Sequence, residues 1–124
     1  DKVRGIVEEA KERYDLDFVL NDKDLIVHNQ YAGDGYVIMS DAKLEAVKLL
    51  SETEGIMIEP VYTSVAMACI IDQIKQGNFK KTDNVVFLHT GGAVALFPYK
   101  EPLRAQIEGK PLPWKVPEWS PQSE

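Results

Sequence analysis

Apolar and polar positions alternate along the chain in patterns that separate helices from everything else. Val3, Ile6, Val7, Ala10 and Tyr14 recur at helical spacing, with Lys2, Arg4, Glu8, Glu9, Lys11, Glu12 and Arg13 on the other face. Residues 2 to 14 are therefore expected to form one amphipathic surface helix. Leu44, Ala46, Val47, Leu49 and Leu50 give residues 41 to 53 a broad apolar face; Ser40 is the expected N-cap, Asp41 suits the helix dipole, and Gly55 ends the helix. From Ser64 to Gln76 the apolar residues Val65 to Ile71 and Ile74 cover most of the surface, which predicts a helix buried nearly all round and stopped at Gly77. A short helix is expected from Glu101 to Glu108.

Two solid apolar runs break this period. Leu25-Ile26-Val27-His28 reads as a strand ended by a histidine, and Asn84-Val85-Val86-Phe87-Leu88 reads as a short strand buried on both faces. Strands of that kind belong to parallel sheets, so the expected class is α/β, a mostly parallel sheet flanked by helices. Between the elements, Gly33-Asp34-Gly35-Tyr36 is a loop dense in glycine that presents a tyrosine, and Pro60 turns the chain into the third helix. After Lys110, four prolines with Trp114 and Trp119 predict an extended tail.

Composition narrows the function classes. The 124 residues carry a formal charge of -6 and only one cysteine, Cys69. With no basic run longer than Lys80-Lys81, nucleic acid and anionic membranes are not expected as partners. A single cysteine in an apolar helical pattern excludes an intrachain disulfide, gives no metal site and points to a reducing, cytosolic compartment. No apolar run approaches the length of a membrane span. The chain begins at Asp1 directly on a helical pattern, which leads us to expect a missing N-terminal portion or a processed end.

Candidate chemistry gathers at three places. Thr90-Gly91-Gly92 follows the second apolar run, where ligands collect beyond strand ends in α/β sheets; the alternative is a plain turn. Tyr62, Thr63 and Ser64 head the third helix, whose free N–H groups and dipole favour an anion or a phenolate. The alternative there is that Thr63 or Ser64 caps the helix while Tyr62 fills space. Tyr36 on the glycine loop is the third candidate.

Glu59-Pro60-Val61-Tyr62-Thr63, Gly77-Asn78-Phe79-Lys80 and Asp83 through Ala93, in that order and with the Gly35-Tyr36 loop, resemble the C-terminal part of one family. It is the pyridoxal-phosphate-dependent family containing D-cysteine desulfhydrase and 1-aminocyclopropane-1-carboxylate deaminase. The resemblance spans residues 1 to 103 and implies a tryptophan-synthase-β-like (fold type II) enzyme. Residues 1–103 would be the C-terminal part of its cofactor-binding domain and 104–124 an extended tail. It further implies pyridoxal 5'-phosphate as cofactor, a small amino acid as substrate and a homodimer. Carried over by position, Tyr36 and Tyr62 are the active-site tyrosines, Thr90 approaches the cofactor's ring nitrogen, and Thr63 and Gly91 stand beside the cofactor. Thr63 replaces a glutamate of the cyclopropane-cleaving enzymes, which favours the D-cysteine branch and a β-elimination yielding pyruvate, ammonia and sulfide. L-cysteate sulfo-lyase and the deaminase are the alternatives, because Ser64-Val65 stands where the family has Gly-Lys and Val37 replaces a glycine. The family's Schiff-base lysine region has no counterpart here, so this chain alone is expected to be inactive. A reading from another class is a non-catalytic α/β module that binds a ligand or partner.

Overall fold

Helices form where the 3.6-residue pattern puts them in the computed structural model of the protein, which describes residues 2–32 and 39–111. They are α1 (Lys2–Tyr14), α2 (Asp41–Glu54), α3 (Thr63–Lys75) and α4 (Lys100–Glu108), with single 3-10 turns at Asp22–Asp24, Asn29–Tyr31 and Ala93–Leu96. The caps explain the boundaries. Ser40 Oγ accepts the Lys43 N–H at 3.4 Å, and Gly55 closes α2 in the left-handed conformation. Beyond α3, Gly77 has φ 76°; its N–H donates to Ile74 O at 3.0 Å while the Asn78 N–H reaches Gln73 O at 3.0 Å. That pair is a Schellman closure, which satisfies two carbonyls the helix would otherwise strand.

Helix α2 is the centre of the packing, lying against both α3 and α4. Its Ala46 and Val47 meet Ile58 and Ala68 in one core cluster, joined at the edge by Leu50, Met67, Ile71, Phe87, Leu96 and Leu103. Leu44 faces Met39 and Tyr99 in a second cluster, with Val61 and Leu103 beside it. Leu44 and Ile58 are fully buried, each contributing about 2 kcal/mol of hydrophobic stabilisation. Leu103 and Ala105 seat α4 on this core. Helix α1 buries none of its residues; Arg4 pairs with Asp22, and Lys11 Nζ lies 5.5 Å from the Phe18 ring centre.

The expected α/β fold with a mostly parallel sheet does not form: among the described residues there is no strand, and the regular structure is helical. The tryptophan-synthase-β-like architecture is corrected with it. The reason lies in what β-branched runs require. Val and Ile favour strands because they pack on a pleated surface between neighbours, and a parallel strand needs those neighbours to complete its hydrogen bonds. Ile26 and Val27 are 72% and 76% exposed, and Val86 and Leu88 are 89% and 78% exposed; of the second run only Phe87 packs on the core. Helix α3 corrects a second expectation. It is not buried all round: α2 covers one side, Ala68 is its one buried apolar residue, and Ile74 is 54% exposed.

The Gly33 to Ile38 stretch, with Tyr36, and the tail from Leu112, with Trp114 and Trp119, lie outside the described residues. No helix among the described residues is long and apolar enough to cross a membrane.

Candidate functional site

From Gly55 the chain runs past the Thr90-Gly91-Gly92 loop, and two sets of contacts join the segments. The His89 ring spans them, with Nε2 3.0 Å from Met57 O and Nδ1 accepting the Gly91 N–H at 2.9 Å. These partners assign the proton to Nε2. Next along, Glu59 packs its side chain against Gly92, where a Cβ would stand 2.6 Å from Glu59 Cγ. Gly92 also sits at φ 93°, so only glycine fits both the backbone and the space.

Glu59 is 3% exposed and its carboxylate caps α3. Oε2 accepts the Val61 N–H at 2.5 Å, and Oε1 accepts the Tyr62 and Thr63 N–H groups at 2.5 Å each. The Ser64 N–H donates to Glu59 O at 3.0 Å. The first N–H groups of α3 are therefore committed, which corrects the expectation that they stand free for an external anion or a phenolate. Pro60, buried beside Glu59, brings no N–H that would need a partner.

Three of the expected site residues come together. Tyr62, Thr90 and Gly91 line a depression of about 230 Å3 with Glu59, Gly92 and Ala95. Tyr62 is 61% exposed at its rim. Thr63 is placed differently: it is buried, and its hydroxyl accepts the Glu59 N–H at 2.9 Å and stands 3.2 Å from both Glu59 O and Oε1. It braces Glu59 and does not line the depression. Tyr36 lies outside the described residues. Reasoning from sequence passed over Glu59 and His89. The available signal for Glu59 was an acidic residue just ahead of a proline and a helix start, where a carboxylate meets the dipole.

The donor set of this depression can be compared with pyridoxal phosphate, the cofactor implied by the resemblance. The Thr90 hydroxyl both donates and accepts, which suits a pyridine nitrogen in either protonation state. Among the described residues no lysine or arginine lines the depression, and the α3 N-terminus already holds Glu59. These residues fit the ring-nitrogen end of the cofactor and leave its phosphate and aldehyde ends to other groups.

A second polar cluster lies between the Asn29–Tyr31 turn, α2 and α3. The Tyr31 hydroxyl donates to Asp72 Oδ2 at 2.5 Å and accepts from Gln73 Nε2 at 2.8 Å. The bond to Asp72 raises the Tyr31 phenol above its ordinary 10.0. Burial, and then the Asp72 charge, push the Cys69 thiol up, which keeps it an unreactive thiol at neutral pH. None of the expected site residues stands here.

The family model described as pyridoxal-phosphate dependent enzyme matches residues 3–91. The matched stretch covers α1 to α3, Glu59, Tyr62, Thr90 and Gly91.

Proposed function

The chain belongs to the pyridoxal-phosphate dependent enzyme family, and from that premise we propose that it supplies the ring-nitrogen side of the site in a lyase or deaminase of small amino acids. D-cysteine is the preferred substrate, with pyruvate, ammonia and sulfide as products. The observation that supports this reading is the convergence of Thr90, Gly91 and Tyr62 on one depression.

The chemistry supplied by pyridoxal phosphate when bound is an electron sink for carbanion formation at the amino acid Cα. Thr90 would hold the ring nitrogen through a neutral hydroxyl, which hydrogen-bonds without forcing a proton onto it as a carboxylate would. The bound group would then be a weaker electron sink, which would suit elimination of a group on the neighbouring carbon. Gly91, with no side chain, would let backbone approach the ring closely. Tyr62, at the rim, orients the substrate carboxylate or exchanges a proton at its hydroxyl. Thr63 favours the D-cysteine branch by the resemblance; here its hydroxyl is spent on Glu59. Ser64-Val65 in place of the family's Gly-Lys makes L-cysteate the second candidate. The same reading has the protein act in the cytosol, in keeping with its single cysteine, and as a homodimer by the family resemblance.

The test is turnover by the protein carrying this chain, loaded with pyridoxal phosphate and offered D-cysteine, L-cysteate and 1-aminocyclopropane-1-carboxylate. Thr90→Asp is expected to shift the visible absorption of the bound cofactor, and Tyr62→Phe to slow turnover about a hundredfold. Unchanged turnover in both variants on every substrate would overturn the assignment.

A further inference from the structure

We propose that Glu59 is the positioning residue of this site, serving as a built-in anion that clasps the turn carrying Tyr62 to the loop carrying Thr90. The inference rests on the function proposed above for its kinetic part only.

A helix leaves its first N–H groups without intrahelical partners, and here the residue at the cap position, Tyr62, makes no side-chain cap bond. Glu59 takes that task from outside the helix, with both oxygens acting as acceptors toward Val61, Tyr62 and Thr63. The stem of the same side chain lies on Gly92, two residues from Thr90. One side chain thus touches both walls of the depression. Charge-assisted bonds to three successive N–H groups fix the direction in which the chain presents Tyr62, and the Gly92 contact fixes how near Thr90 can come.

A consequence for binding follows. With the N–H groups of residues 61 to 64 all engaged by Glu59, this wall offers no amide to a substrate carboxylate. Any hold that this wall has on the substrate's acid group comes from the Tyr62 hydroxyl and not from backbone amides, so loss of Glu59 disturbs the geometry of reaction more than the strength of binding. Removing the side chain also exposes an anion hole of carboxylate size, which formate can fill.

The experiment compares Glu59→Ala and Glu59→Gln with the parent protein. Without cofactor, Glu59→Ala is expected to melt lower and to regain stability as sodium formate is added, while sodium chloride at the same ionic strength restores nothing. Glu59→Gln keeps the hole filled and should not respond to formate. With cofactor and D-cysteine, both variants are expected to lose kcat, by about a hundredfold for Glu59→Ala, with KM held within about twofold. Formate should recover part of the loss in Glu59→Ala alone. Should Glu59→Ala not fold, the kcat and KM of Glu59→Gln decide the matter. An unchanged kcat in Glu59→Gln, a KM that rises in step with the fall in kcat, or a folded Glu59→Ala indifferent to formate would each overturn the proposal. Formate-dependent melting is read without substrate. A protein that shows it yet turns over no candidate substrate refutes the proposed function and leaves the clasp standing.

Discussion

Gly91 and Gly92 are neighbours with nearly the same backbone, at φ 94° and 93°, and that makes them a controlled comparison. Placing alanine at either one forces a side chain into the left-handed region, at a cost of about 1–2 kcal/mol. At Gly91 nothing lies within 4 Å of the new Cβ, so backbone strain is the whole expected loss. At Gly92 the Cβ would stand 2.6 Å from Glu59 Cγ, with Glu59 Cβ at 3.4 Å and Cδ at 3.6 Å. Glu59 cannot swing aside freely, because its carboxylate is fixed by three N–H groups. Giving up one charge-assisted hydrogen bond costs about 2 kcal/mol, so Gly92→Ala should lose about 3–4 kcal/mol in all. Urea unfolding followed by circular dichroism measures the difference directly. With a slope of about 2 kcal/mol per molar, the Gly92→Ala midpoint should fall about 1 M below that of Gly91→Ala. In a Glu59→Ala background the gap should close, since the atom that clashes is gone. Equal midpoints for the two alanine variants, or a milder effect at Gly92, would refute the packing of Glu59 against this loop.

Two further predictions concern protons. The Tyr31 phenol titrates above 10.0 because its hydroxyl donates to Asp72. Its raised folded value means that the stabilisation is complete below 10.0 and lost as pH rises through the raised folded value; ultraviolet titration should show Asp72→Asn moving the midpoint back down, and identical curves would contradict the bond. Glu108 is held below 4.5, first by Arg104 Nε at 2.7 Å and then by Lys110 Nζ at 2.5 Å. This stabilisation is present above 4.5 and lost as pH falls through the lower folded value; an NMR carboxyl titration should show Arg104→Ala returning the midpoint toward 4.5.

The helices were legible from sequence because everything that makes them is local. The stripe from Val3 to Tyr14, the cap at Ser40 and the stops at Gly55 and Gly77 act within a turn or two of chain, and the structure places α1, α2 and α3 within a residue of the expected bounds. The candidate site was partly legible for the same reason: Thr90-Gly91 and Tyr62 stand out as a hydroxyl beside glycines and a tyrosine at a helix head. What the local pattern could not decide was pairing. The apolar runs at residues 25–28 and 84–88 carry strand propensity, yet a strand exists only if another segment lies alongside it, and among the described residues none does so. The same holds for how deeply α3 is buried, which depends on what packs against its other sides. Thr63 turns its hydroxyl onto Glu59, only four residues earlier, a local contact in keeping with the capping alternative and not with a residue facing a ligand. The bonds from Glu59 to residues 61–63 are local, but its contact with Gly92 forms only where residues 57–63 and 89–92, some thirty positions apart in sequence, come together. Sequence by itself determined the helices and the chemistry on offer; the tertiary structure decided which of those groups meet, because meeting depends on contacts that no local period encodes.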